Sequence, residues 1–159
     1  MNFTIRKAHR EDMGQVLHLI KALAIFEKEP DAVEITESYL REKGFGKYPS
    51  FQCFVAEKEG SIEGIALVYT RFSTWKGEVL HLEDLIVNQN MRGQGMGEAL
   101  LDAVVKYGNQ LGVKRICWEV LDWNTPAIDF YEKKGAKVLR DWHVVHMDEQ
   151  GIKNYLSKL

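Results

Sequence analysis

Residues 92–98, Arg92-Gly93-Gln94-Gly95-Met96-Gly97-Glu98, place three glycines at alternate positions. An apolar strand-like run precedes them and an apolar helical pattern follows. A strand, a glycine-rich loop and a helix N-terminus make an anion site, because free backbone N–H groups point out of the loop and the helix dipole adds positive charge. Glycine permits positive φ and close approach of a ligand. Phosphate or pyrophosphate is the implied ligand; the other reading is a tight turn that needs glycine for its shape alone. No Gly-Lys-Ser/Thr follows, which removes a P-loop. The G-x-G-x-G spacing is one residue short of the dinucleotide fingerprint. Glu119 lies about twenty residues beyond, as that fingerprint asks, but the unit sits mid-chain and too little sequence follows to repeat it.

A second set of groups stands just before the loop. Leu80-His81-Leu82-Glu83-Asp84-Leu85-Ile86-Val87 places two carboxylates inside an apolar strand. An unpaired buried charge is costly, so these acids are either paired or line a polar cleft that attracts a cation. Strand alternation sends Glu83 and Asp84 to opposite faces unless a bulge intervenes. His81 shares the predicted face of Glu83 and reads as a second base or as a satisfied core histidine. Trp75 reads as a cleft wall or as a half-buried aromatic at a turn. Tyr131, near the end of an amphipathic helix, reads on spacing alone as core. Cys53 and Cys117 form no CxxC, lie in apolar runs and read as reduced buried thiols without an activating neighbour. His9, His18, His143 and His146 show no metal-ligand spacing, so no metal is expected.

The elements that must hold these groups follow from periodicity. Phe3 to Arg6 alternates as a strand, and Met13, Val16, Leu17, Ile20 and Ala24 mark a helix over about 11–26. Thr36 caps a shorter helix that stops near Gly44-Phe45-Gly46. Strands are predicted over 51–57, 61–72 and 78–87, with a turn at Glu59-Gly60. The helix after the loop ends at Gly112, and a strand is predicted over 113–121. A helix capped by Asn124 or Thr125, with Pro126 in its first turn, ends at Gly135. Strand-like runs at 136–139 and 142–147 and a short terminal helix complete one α/β (α+β) domain over 1–159, with a mixed sheet.

Bulk properties set limits. With 159 residues, 45% hydrophobic and 28% charged, the chain suits one globular domain. A net charge of −2 gives no electrostatic support to nucleic-acid binding. No apolar run would span a bilayer, and the N-terminal residues hold no signal-like apolar core. A cytoplasmic protein with neither membrane nor nucleic-acid partner is expected.

Arg92-x-x-Gly95-x-Gly97 resembles the coenzyme A pyrophosphate loop of the GNAT superfamily of N-acetyltransferases, and the order of elements is similar to that fold. Asn124-x-x-Ala127-x-x-Phe130-Tyr131-x-x-x-Gly135 looks like a signature of the same superfamily. Leu23-Ala24-Ile25-Phe26-Glu27-Lys28, Gly44-Phe45-Gly46, Ser73-Thr74-Trp75-Lys76-Gly77, Leu82-Glu83-Asp84-Leu85 and Val120-Leu121-Asp122-Trp123-Asn124 narrow the resemblance to the diamine (spermidine/spermine) and thialysine N-acetyltransferase branch. It covers Leu23 to Gly135. The resemblance implies acetyl-CoA as co-substrate, no metal, a homodimer, and direct amine attack in a ternary complex. It implies Tyr131 as proton donor to the departing thiolate and Arg92 through Glu98 as the pyrophosphate site. Backbone groups of Leu85, Ile86 and Val87 would serve the acetyl and pantetheine portions, and Asn124 would bind coenzyme A. Glu83 would accept the amine proton, directly or through water. Glu27, Glu83 and Asp84 would contact substrate ammonium groups, with Trp75 and Cys117, Trp118 and Glu119 lining the same cleft. Polyamine-preferring members carry an acid where Ser73 stands here, and the stretch between Gly135 and Trp142 is shorter, leaving Asp141 as the candidate distal acid. Both departures favour a short diamine or a thialysine-like amine. Other readings are another acceptor (aminoglycoside, amino acid or protein N-terminus) or a non-catalytic acetyl-CoA-binding module.

Overall fold

A computed structural model describes residues 2–159. It divides into two compact units, one ending at Glu119 and one beginning at Val120. The first unit holds a five-stranded mixed sheet in the order β1 (Thr4–Lys7), β2 (Gln52–Lys58), β3 (Ser61–Ser73), β4 (Gly77–Val87), β5 (Ile116–Cys117). The first four strands are antiparallel meanders, and β5 joins β4 in parallel after the crossover helix α3 (Met96–Gln110).

Strand alternation sorts the core. Cys53 and Val55 of β2, Ile65 and Leu67 of β3 and Ile86 of β4 pack with Met13, Val16 and Leu19 of α1 (Met13–Phe26) and Leu40 of α2 (Glu37–Phe45). The intervening Phe54 meets Tyr107 of α3 edge-on, with ring centroids 5.5 Å apart. Helices therefore cover both faces of the sheet. Thr36 caps α2 as its position predicts, its Oγ1 accepting from the Tyr39 N–H at 3.2 Å. A 3₁₀ turn at Arg10–Asp12 precedes α1. There Asp12 accepts from the His9 N–H and from Arg6, and the Arg6 guanidinium holds the Asp12 carboxyl below the ordinary carboxylate range.

The second unit holds α4 (Thr125–Lys133) and α5 (Glu149–Leu156). Here the structure differs from the strand-like patterns. Residues 136–139 and 142–147 form no strand, and of the run 113–121 only Ile116 and Cys117 pair. Leu139, Trp142, Val144, Val145 and Met147 are exposed. A strand is stabilised by a neighbour that takes its backbone hydrogen bonds, and apolar alternation alone does not supply one.

Candidate active site

The glycine loop opens where β4 ends. The Asn88 N–H donates to the Glu63 carbonyl at 2.7 Å, and a 3₁₀ turn at Gln89–Met91 leads to Arg92. Gly93 and Gly95 take φ of 75° and 81°, and a Cβ on either would meet no atom within 4 Å. These are left-handed conformations over open space, which glycine adopts without strain. The first bond inside α3 runs from the Ala99 N–H to the Gly95 carbonyl at 3.0 Å, so the N–H groups of Met96 and Gly97 have no acceptor within the helix. Arg92 is exposed; its Nε donates to the Val87 carbonyl at 3.3 Å and its guanidinium lies 5.2 Å from the Phe26 ring centroid. The loop is thus an open cradle of backbone donors with a cation at its rim. Gln94 braces it from within, donating to the Asn90 carbonyl.

The β4 edge beside this loop is open. Pairing with β5 stops at His81↔Cys117, while β4 continues to Val87. Among the described residues no strand pairs with that edge at Leu85, Ile86 or Val87. An extended chain of amides can pair there as a strand would.

A bulge lies at the inner end of this edge. Leu67 pairs with Asp84 and Val68 with Leu82, which leaves Glu83 as the extra residue. Glu83 and Asp84, adjacent in sequence, therefore line one cleft of 640 Å³, together with Ile20, Val33, Tyr39 and Phe51. Burial pushes the Asp84 carboxyl up to about 6, and the Glu83 and Glu27 carboxylates add to the rise. Glu27 also sits above the ordinary range, through desolvation. Glu83 is held below it by a hydrogen bond from His81, with the Tyr69 hydroxyl donating as well. Three acids of different basicity thus share one region.

His81 is 7% exposed, and its Nε2 lies 3.5 Å from Glu83 Oε2. Its Nδ1 lies 3.5 Å from Cys117 Sγ. This corrects the reading that neither cysteine has an activating neighbour. That reading stands for Cys53, which is 1% exposed with its thiol pushed up by burial. It fails for Cys117, because the β4/β5 register sets two residues 36 apart side by side. Trp118 is half-buried and Glu119 exposed. Trp75 is 77% exposed in the β3–β4 turn and is not among the residues lining the acidic cleft. Its N–H donates to Ser73 Oγ.

In the second unit Asn124 is the N-cap of α4, but its side chain makes no capping bond. Tyr131 is buried, and burial pushes its phenol up, so it keeps its proton at neutral pH. Among the described residues no group of three or more His, Cys, Asp or Glu could hold a metal ion, and no helix is long and apolar enough to cross a membrane.

The model of the acetyltransferase (GNAT) family matches residues 17–136. The chain belongs to this family. It is 36% identical to a Bos taurus thialysine N-epsilon-acetyltransferase over 97% of both chains. It is 31% identical to a Caenorhabditis elegans protein of the same name over 99% of both. An integron cassette protein from the mobile metagenome of V. cholerae shares the fold, with a TM-score of 0.81 at 21% identity over 100% of this chain and 99% of that one. The chain is therefore a GNAT N-acetyltransferase, and acetyl-CoA is the acyl donor of this family. The cradle fits such a donor: the glycines leave space and donors for a pyrophosphate, and the open β4 edge offers amide partners for a pantetheine arm.

Proposed function

We propose that this GNAT enzyme acetylates a primary amine of a small dicationic acceptor, a thialysine-like amine or a short diamine, by direct attack in a ternary complex. The observation that carries the reading is the cleft where the β4 bulge sets Glu83 beside Asp84, with the Glu27 carboxylate near enough to raise Asp84. Clustered carboxylates favour a cation, and an acceptor with two ammonium groups uses more than one of them. The similarity to thialysine acetyltransferases supports the same acceptor class. Ser73, in place of an acid, leaves the β3–β4 turn without a contact for a long polyamine.

In this proposal residues 1–159 form one N-acetyltransferase domain in which each group has one task. Backbone donors from Arg92 to Glu98 hold the pyrophosphate, with Gly93, Gln94, Gly95, Met96 and Gly97 between them. Leu85, Ile86 and Val87 hold the pantetheine and acetyl portions, and Asn124 adds a contact to coenzyme A. An amine with a pKa of roughly 10.4 is charged at neutral pH and must lose a proton to attack. Glu83 accepts that proton, directly or through water. Tyr131, kept neutral by burial, returns a proton to the departing thiolate. Trp75 and residues 117–119 border the acceptor. A cytoplasmic homodimer completes the proposal, and the exposed Trp142, Val144, Val145 and Met147 are the kind of surface a second copy covers.

Product identification tests this. Incubation with acetyl-CoA and thialysine is expected to yield acetylated amine and free coenzyme A in equal amounts. Coenzyme A binding with no acetylated amine would leave a non-catalytic acetyl-CoA-binding module.

A further inference from the structure

Cys117, His81 and Glu83 stand in series. Cys117 Sγ lies 3.5 Å from His81 Nδ1, and His81 Nε2 lies 3.5 Å from Glu83 Oε2. With the imidazole proton on Nε2 facing the carboxylate, Nδ1 is free to accept the thiol proton, for which the Leu80 carbonyl, 3.8 Å from Sγ, is the other acceptor. This is a nucleophile, a base within hydrogen-bond reach, and a third group that orients the base. The Tyr69 hydroxyl fixes Glu83, and the Tyr69 ring lies 5.0 Å from the imidazole, centroid to centroid. Glu83 stands where it can balance the charge of the imidazolium as the proton moves from the thiol to the ring.

Position separates Cys117 from an ordinary buried thiol. Cys117 is half-buried, whereas Cys53 is sealed in the core. Cys117 also occupies the last rung of the β4/β5 ladder, where β5 ends and β4 continues into the open edge assigned to the pantetheine arm.

We propose that Cys117 is a second acyl acceptor, taking the acetyl group of acetyl-CoA as a thioester when no amine occupies the cleft. The inference rests on the acetyl-CoA-dependent reading above. In the step, Cys117 Sγ attacks the thioester carbonyl carbon and its proton passes to His81 Nδ1. The bond from that carbon to the coenzyme A sulfur breaks, and His81 returns the proton to the departing thiolate. The products are acetyl-Cys117 and coenzyme A. An amine that arrives later attacks the acetyl-Cys117 carbonyl, forming the amide and restoring the thiol with the proton that the amine loses. One thioester replaces another, so the exchange is close to thermoneutral and needs no further reactant.

The experiment is intact-protein and peptide mass spectrometry of the full chain incubated with acetyl-CoA and no amine. The expected result is one acetyl group on Cys117, matched by one coenzyme A thiol per chain and discharged by added thialysine. Cys117→Ser should show no hydroxylamine-labile acetyl group, and His81→Gln should slow adduct formation by about 100-fold. Iodoacetamide alkylation, which needs no acetyl-CoA, should modify Cys117 far ahead of Cys53 and slow similarly in His81→Gln. Amine turnover with no adduct on Cys117 would overturn this inference and leave the proposed function intact. Failure of both turnover and coenzyme A binding would overturn the proposed function, and this inference with it.

Discussion

Asp84 is the residue on which binding and stability pull in opposite directions. Its folded carboxyl titrates near 6, above the ordinary 3.8, because burial and the Glu83 and Glu27 carboxylates disfavour its charge. The fold carries no such penalty well below pH 3.8, where Asp84 is protonated whether folded or unfolded. The penalty grows between that value and pH 6 and levels off above it, on the order of 2–3 kcal/mol. Asp84→Asn should therefore stabilise the protein at pH 8 by about 2 kcal/mol in urea unfolding, with the gain fading toward pH 4. The same change should raise the KM for a dicationic amine. No gain at pH 8 would mean that Asp84 ionises without penalty. Tyr131→Phe is expected to lower kcat by about 100-fold or more with little change in acetyl-CoA affinity; near-normal turnover would remove the phenol as the acid. Much of the candidate site stood out in sequence, because glycines at alternate positions and acids inside an apolar strand are both costly patterns. The His81–Cys117 pair could not, since it exists only through the register of two strands far apart in the chain.

At the scale of elements, the end of β4 does most of the positioning. The bulge at Glu83 sets two neighbouring acids toward one cleft, and the short β5 leaves the edge beyond it open. Gly95 then ends the loop in a left-handed conformation over free space. Gly95→Ala should cost about 1 kcal/mol of stability, from backbone strain, and leave part of the coenzyme A affinity. Gly95→Trp adds a side chain where the anion would sit, and calorimetry should then show no binding. Unchanged binding in Gly95→Trp would refute the pyrophosphate site. Periodicity foretold α1 to α4 and the antiparallel strands because each buries one apolar face. It failed at 136–139 and 142–147, where alternation is present but no neighbouring strand takes up the hydrogen bonds. Whether strand-like residues pair depends on the edge they meet, which local pattern does not encode.

For the whole molecule, family membership and acceptor choice are separate matters. The fold supports many acceptors, and the proposed choice among them rests on the acidic cleft. The proposed homodimer, which the family resemblance implies, would cover exposed apolar side chains of 139–147, and light scattering should return twice the chain mass at micromolar concentration; a monomer would remove that part of the proposal. The most direct measurement is free-thiol release from acetyl-CoA across putrescine, spermidine, spermine, thialysine, lysine and an aminoglycoside. The account predicts turnover with thialysine or the short diamine, at a kcat/KM above that for spermine and the aminoglycoside. Turnover confined to the aminoglycoside, or none with any amine while coenzyme A still binds, would contradict it.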